Sequence, residues 1–193
     1  MTRVEQEKWQ ARYASLPSSR RPPQPPARWL RRWTEVIPRG RVLDLGMGLG
    51  GNALYVAARG ASVLGIDISE RAVKALRQTA LSRGLRLELI VADLDDFPLP
   101  VNRFDAVLCF FYLNRRLFPQ IRNSLKPGGV LLMESFVTDP QRPKKDQPHY
   151  RLAEKELLRA FGDWEVLDYA EGNYPESPHA RAATARICAR KSG

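Results

Sequence analysis

Between residues 41 and 137 the chain alternates short unbroken apolar runs with segments whose apolar residues recur every three to four positions. Runs of the first kind read as strands buried on both faces, and segments of the second kind as amphipathic helices. The runs fall at 41–45, 62–67, 85–92, 104–111 and 130–137, with helical segments at 52–59, 69–83 and 114–125. Ser69 and Asn114 carry side-chain oxygens suited to capping a helix start, and Gly60, Gly84 and Lys126-Pro127-Gly128-Gly129 are stop signals. A helix over 153–161 precedes two more strands, 164–169 and 182–189, with no helix between them. Those two are expected to pair as an antiparallel hairpin, so that one runs against the sheet. The pattern predicts an α/β fold: a doubly wound, mostly parallel seven-stranded sheet with a C-terminal antiparallel hairpin.

Residues 1–38 read differently. Loose helical periodicity over 4–14 gives way to Pro17-Ser18-Ser19-Arg20-Arg21-Pro22-Pro23-Gln24-Pro25-Pro26, which proline holds extended. Residues 27–36 read as a helix with Trp29, Leu30 and Trp33 on one side, stopped by Pro38-Arg39-Gly40. The expected division is a helical, proline-rich extension covering the site (1–38) and one folded domain (39–193). No run approaches the roughly 20 apolar residues that span a bilayer, and the charged start lacks a signal-like apolar stretch. The expected location is therefore cytoplasmic, with no membrane partner. Cys109 and Cys188 have no metal or redox spacing, and with only two histidines no metal site is expected. The net charge of +10 favours acidic partners, nucleic acid among them. Arginine is scattered rather than in runs, so a solvated basic surface is preferred and nucleic acid is kept as the alternative.

The first strand ends in Asp44-Leu45-Gly46-Met47-Gly48-Leu49-Gly50-Gly51, a glycine turn that opens a helix. In open α/β sheets ligands bind beyond the carboxyl ends of the strands. The turn fits two spacings: Gly46, Gly48 and Gly51 give GxGxxG, and Gly46, Gly48 and Gly50 give GxGxG. Asp67, at the end of the second strand, suits the ribose of any adenosine cofactor. Three features separate the choices. Asp44 would repel a pyrophosphate but tolerates a cationic amino-acid moiety. Asp93, at the mouth of the third strand, can accept from an adenine amino group. The closing hairpin is foreign to the usual dinucleotide fold.

In order and spacing, VLDLGMGLGGNALYVA, GIDIS, VADLDDFPL, FDAVLCFFYLNR and LKPGGVLLMESF resemble the class I S-adenosylmethionine-dependent methyltransferases. The resemblance is nearest the tellurite-resistance-like members, which carry an element such as Trp9-Gln10-Ala11-Arg12-Tyr13 ahead of the fold. It implies S-adenosyl-L-methionine as cofactor, with the backbone around Gly46 and Gly48 holding the methionine part beside Asp44. It further implies Asp67 on the ribose, Ile68 against the adenine, Asp93 at its amino group and Leu94 as a backbone contact. Phe110 would flank the transferred methyl. Gly51 departs from the pattern, because related sequences often place an arginine before the asparagine.

Plainer uses stand beside these roles. Asp67 could cap a strand end, Asp93 a turn, and Asp44 could merely orient the glycine loop. Asp95 and Asp96 read as solvated turn residues, Cys109 as a small core residue and Glu134 as a strand residue. No general base stands out near the fourth strand, and Tyr112 suits hydrogen bonding. An enzyme methylating a small molecule by in-line displacement is the expectation. The alternatives are a nucleic-acid methyltransferase, a nicotinamide-dependent oxidoreductase and a non-catalytic cofactor-binding module.

Overall fold

The computed structural model describes residue 11 and residues 24–138, 150–175 and 182–193. The helix expected over 4–14 lies, apart from Ala11, outside the described residues. The strands are β1 (Arg41–Leu45), β2 (Ser62–Asp67), β3 (Leu87–Val91), β4 (Phe104–Phe110), β5 (Leu125–Phe136), β6 (Glu165–Gly172) and β7 (Thr184–Arg190). They form one sheet in the order β3-β2-β1-β4-β5-β7-β6. The pairs joining β1 to β5 are parallel, and β7 is antiparallel to both β5 and β6. The expected hairpin is present, and β7 is the strand that runs against the sheet.

Helices α1 (Arg28–Arg32), α2 (Gly51–Ala57), α3 (Glu70–Ser82), α4 (Leu117–Ser124) and α5 (Glu156–Phe161) cover both faces. Strand side chains alternate in direction, so each strand feeds two cores. Val42, Val63, Leu108 and Leu132 pack with Trp29 and Leu30 of α1, Leu54 of α2 and Leu76 of α3. Leu43, Ile66, Cys109 and Met133 pack with Ile121 of α4 and Phe161 of α5. This two-sided burial is why the strands read as continuous apolar runs. Among the described residues no helix is long and apolar enough to cross a membrane.

Several boundaries differ from the sequence reading. The single helix expected over 27–36 is a short α1 followed by a 3-10 turn, Thr34–Val36. The Thr34 hydroxyl takes the Arg31 carbonyl at 2.8 Å, and a helix loses a turn where a side chain competes for its carbonyls. Helix α4 starts at Leu117 rather than Asn114, because Asn114 Oδ1 accepts from the Arg116 amide at 3.0 Å and closes a turn first. Helix α5 starts at Glu156 rather than Ala153: Lys155 adopts φ +56, and Glu156 Oε2 accepts from the Ala153 amide at 2.7 Å. Strand β5 already begins at Leu125. Lys126-Pro127-Gly128-Gly129 is thus part of the strand, not the break expected, because Leu125 pairs with Phe104 and Gly129 O accepts from Lys191 at 2.8 Å. Ser69 caps α3 as expected, its Oγ accepting from Ala72 at 3.3 Å.

Candidate functional site

Strands β2 and β3 lie on one side of β1, while β4 lies on the other. The chain thus reverses its direction of travel at β1, which opens a crevice at the carboxyl ends of β1 and β4. The glycine turn fills this point. Gly46 and Gly48 have φ of +64° and +54°, a region that side chains disfavour. Gly46 is also hemmed by Tyr112, whose Cβ would stand 2.8 Å from any Cβ placed there. The amides of Gly46 and Met47 both reach the Ile66 carbonyl, at 2.9 and 3.2 Å, which ties the turn to β2.

Three carboxylates surround the turn. Asp44 points to the α2 side and is 2% exposed. It accepts from the Ala53 amide, while its Oδ2 has no hydrogen-bond partner among the described residues. Burial, and secondarily the charge of Asp67, pushes the Asp44 carboxyl up to about 8. Asp67 accepts from the Gly48 amide on Oδ2 and from the Ser69 amide on Oδ1, both at 2.8 Å. Burial raises its pKa, and those amides oppose the rise. Asp93 is half-buried and accepts from the Asp95 amide at 2.9 Å. The plainer roles of Asp67 and Asp93 as caps are therefore real, and each occupies only part of a carboxylate's acceptor capacity. Asp95 corrects the sequence reading: it is half-buried and accepts from Asn114 Nδ2 at 2.6 Å.

Tyr112 ties these groups together. Its hydroxyl is pushed well above the usual phenol range by burial first, with Cys109, Asp93 and Asp67 contributing and Asn114 opposing. It remains a neutral hydrogen-bonding group at neutral pH, and its side chain packs against Gly46. Phe110, 8% exposed, ends β4 beside it. Ile68 is half-buried after β2, and Leu94 turns its side chain into the core. Cys109 is buried, donates to the Tyr112 carbonyl at 3.4 Å, and burial drives its thiol upward, so it is a core residue.

The residues before β1 reach this site. A Cβ at Gly51 would collide with the Gln24 carbonyl oxygen and lie 2.9 Å from that of Pro25. The Ala27 amide donates to Asn52 Oδ1 at 2.9 Å, and Trp29 Nε1 donates to Asp168 Oδ2 at 2.9 Å. The missing side chain at Gly51 is thus the space through which this backbone passes, a role the sequence reading did not find. Alanine in a helix ordinarily gains stability over glycine by about 0.5–1 kcal/mol. Gly51→Ala is expected to reverse that sign and destabilise by about 1–3 kcal/mol, because backbone atoms cannot yield as a flexible side chain can. A urea titration showing stabilisation would refute the close approach.

A second expectation follows from Asp44. Its folded pKa lies above its unfolded value near 4. Stability held below the unfolded pKa is therefore lost as pH climbs from about 4 towards about 8. In the absence of ligand, Asp44→Asn should flatten this decline. Parallel melting curves for wild type and variant between pH 5 and 8 would expose an error here.

Known proteins resemble this chain in sequence and fold. Residues 42–129 match the family model described as a methyltransferase domain. TehB of Haemophilus influenzae, named a probable S-adenosyl-L-methionine-dependent methyltransferase, is 29% identical over 144 residues, covering 71% of this chain and 50% of that protein. A phosphoethanolamine N-methyltransferase of Triticum aestivum is 31% identical over 122 residues, covering 60% of this chain and 24% of the relative. The chain thus spans half or less of the length of these relatives. The crystal structure of Haemophilus influenzae TehB superimposes with a TM-score of 0.74 at 24% identity, covering 84% of this chain and 61% of that one. In sequence and fold the chain is similar to the class I S-adenosylmethionine-dependent methyltransferases, TehB among them, and its residues 42–129 carry the methyltransferase-domain match.

Proposed function

We propose that the chain transfers a methyl group from S-adenosylmethionine, the family's cofactor, to a small-molecule acceptor. The observation that carries this reading is Asp44: a buried carboxylate with one oxygen unpartnered among the described residues, beneath the glycine turn. A buried carboxylate calls for a donor or a cation, and the amino-acid end of S-adenosylmethionine supplies one. When bound, the cofactor supplies a methyl group on a sulfonium whose sulfur leaves neutral, so no acid is required.

The chain's part is binding, alignment and exclusion of water. The backbone around Gly46 and Gly48 holds the methionine part beside Asp44. Asp67 accepts from the Gly48, Ser69 and Ile68 amides, which leaves acceptor capacity for a ribose hydroxyl. Ile68 lies against the adenine, Asp93 accepts from its amino group, and Leu94 gives a backbone contact. Phe110 flanks the methyl. Gln24, Pro25 and Ala27 sit against Gly51 and Asn52, which supports a division into an extension over 1–38 and a domain over 39–193. The wheat relative is named for phosphoethanolamine, a small acceptor, which supports the acceptor class.

The test is a screen with methyl-labelled S-adenosylmethionine against thiols, chalcogen oxyanions, small amines, carboxylic acids and total RNA. Label is expected in a small-molecule fraction. Label in RNA alone would replace this reading with a nucleic-acid methyltransferase, and no transfer to any class would contradict it.

A further inference from the structure

One row of the sheet crosses the strand mouths beside the glycine turn. Phe110 on β4 pairs with Glu134 on β5, and Glu134 pairs with Arg186 on β7. Two positions further into the sheet, Leu108, Leu132 and Cys188 belong to the core under α1–α3. Strand alternation therefore directs the whole row to that face. Glu134 and Arg186 are 2% and 7% exposed. Burying two opposite charges is costly, and an apolar pair of similar volume would serve stability as well. Their place at the strand mouths calls for another use.

Aromatic rings wall the row. Trp29 lies 5.9 Å from Phe110, Phe110 lies 6.5 Å from Phe111, and Phe111 lies 5.5 Å from Phe136. A guanidinium stands at each end of this arc. That of Arg186 is 5.7 Å from the Trp29 ring and 3.6 Å from the Tyr174 ring, and that of Arg151 is 5.7 Å from Phe136. Phe111 has φ +57°, a conformation a bulky residue adopts only when its surroundings impose it, and its amide donates to the Glu134 carbonyl at 2.7 Å. Thr184 Oγ1 donates to Glu134 Oε1 at 3.0 Å.

We propose that this row is the acceptor subsite, and that it takes a small planar acid: an aromatic or conjugated ring bearing a carboxylate or similar oxyanion. The inference rests on the methyl-transfer reading and adds the acceptor's chemistry to it. The half-buried rings of Phe111 and Phe136 offer faces for a flat molecule. Arg186 offers a planar fork of N–H donors, the geometry that matches a carboxylate.

The experiment uses the full chain saturated with S-adenosylhomocysteine. Benzoate and salicylate are titrated against it, beside benzamide and salicylamide as neutral counterparts, for wild type, Arg186→Gln and Arg186→Lys. The acids are expected to bind about tenfold or more tightly than the amides, the scale of a charged hydrogen bond. Arg186→Gln should abolish that preference and Arg186→Lys should keep part of it, with S-adenosylhomocysteine affinity within about twofold of wild type throughout. Amides binding as well as acids, or an acid preference that survives Arg186→Gln, overturns the proposal. So does an absence of binding by every probe while S-adenosylhomocysteine binds, which leaves the methyl-transfer reading standing. Failure of S-adenosylhomocysteine itself to bind overturns both. If Arg186→Gln does not fold, the acid-to-amide ratios of wild type and Arg186→Lys decide.

Discussion

Trp29→Ala should cost the protein about 3–5 kcal/mol of stability, the range for emptying a buried aromatic site. Trp29 is 1% exposed and belongs to the core under α1–α3. Its ring meets Phe110, and its indole N–H donates to Asp168 across 139 residues of sequence. Truncation therefore removes packing and leaves a half-buried carboxylate without this donor. It also removes the main anchor of the segment that passes over Gly51. Trp29→Phe separates the two effects: it keeps most of the bulk and should lose only the hydrogen bond, about 0.5–1.5 kcal/mol. Urea denaturation of the three proteins measures both. A loss below about 1 kcal/mol for Trp29→Ala would mean that α1 is not docked on the sheet.

Asp67→Ala is expected to weaken S-adenosylmethionine by about 1–3 kcal/mol, roughly fivefold to 150-fold in affinity. The carboxylate has two roles in this account. It holds the Gly48 and Ser69 amides, which shape the turn, and it offers acceptors to the ribose. Removing it orphans two amides as well as the hydroxyls. Asp67→Asn should fall between, because its one carbonyl oxygen replaces one of the two acceptors and its NH2 cannot accept. Calorimetric titration of both variants, each first shown to be folded, gives the numbers. Unchanged affinity in a folded Asp67→Ala would take this residue out of the ligand's reach.

The sequence made the sheet legible because strands buried on both faces leave unbroken apolar runs, as in β1, β2 and β4. Their ends also exposed Asp44, Asp67 and Asp93, since a carboxylate at the end of such a run stands out. Local competition was harder to read. Thr34 against the α1 carbonyls, Asn114 against the start of α4 and Glu156 against that of α5 each shift a boundary through one side-chain bond. The pairing of Leu125 with Phe104 draws a proline-glycine segment into β5, where composition alone signals a turn. Contacts across long separations left no trace in the pattern. Nothing local says that Tyr112 stands over Gly46, that Gln24 and Pro25 pass over Gly51, or that Arg186 sits between Tyr174 and Trp29. The signal available for the second of these was a glycine opening α2, together with a proline-rich stretch ahead of Trp29.

The central claim is that the crevice around Asp44, Gly46 and Asp67 holds S-adenosylmethionine. Calorimetric titration of the purified chain, with NAD as the comparison ligand, tests it most directly. The account predicts saturable binding of one S-adenosylmethionine per chain and no binding of NAD. Binding of NAD without S-adenosylmethionine, or of neither, would contradict it.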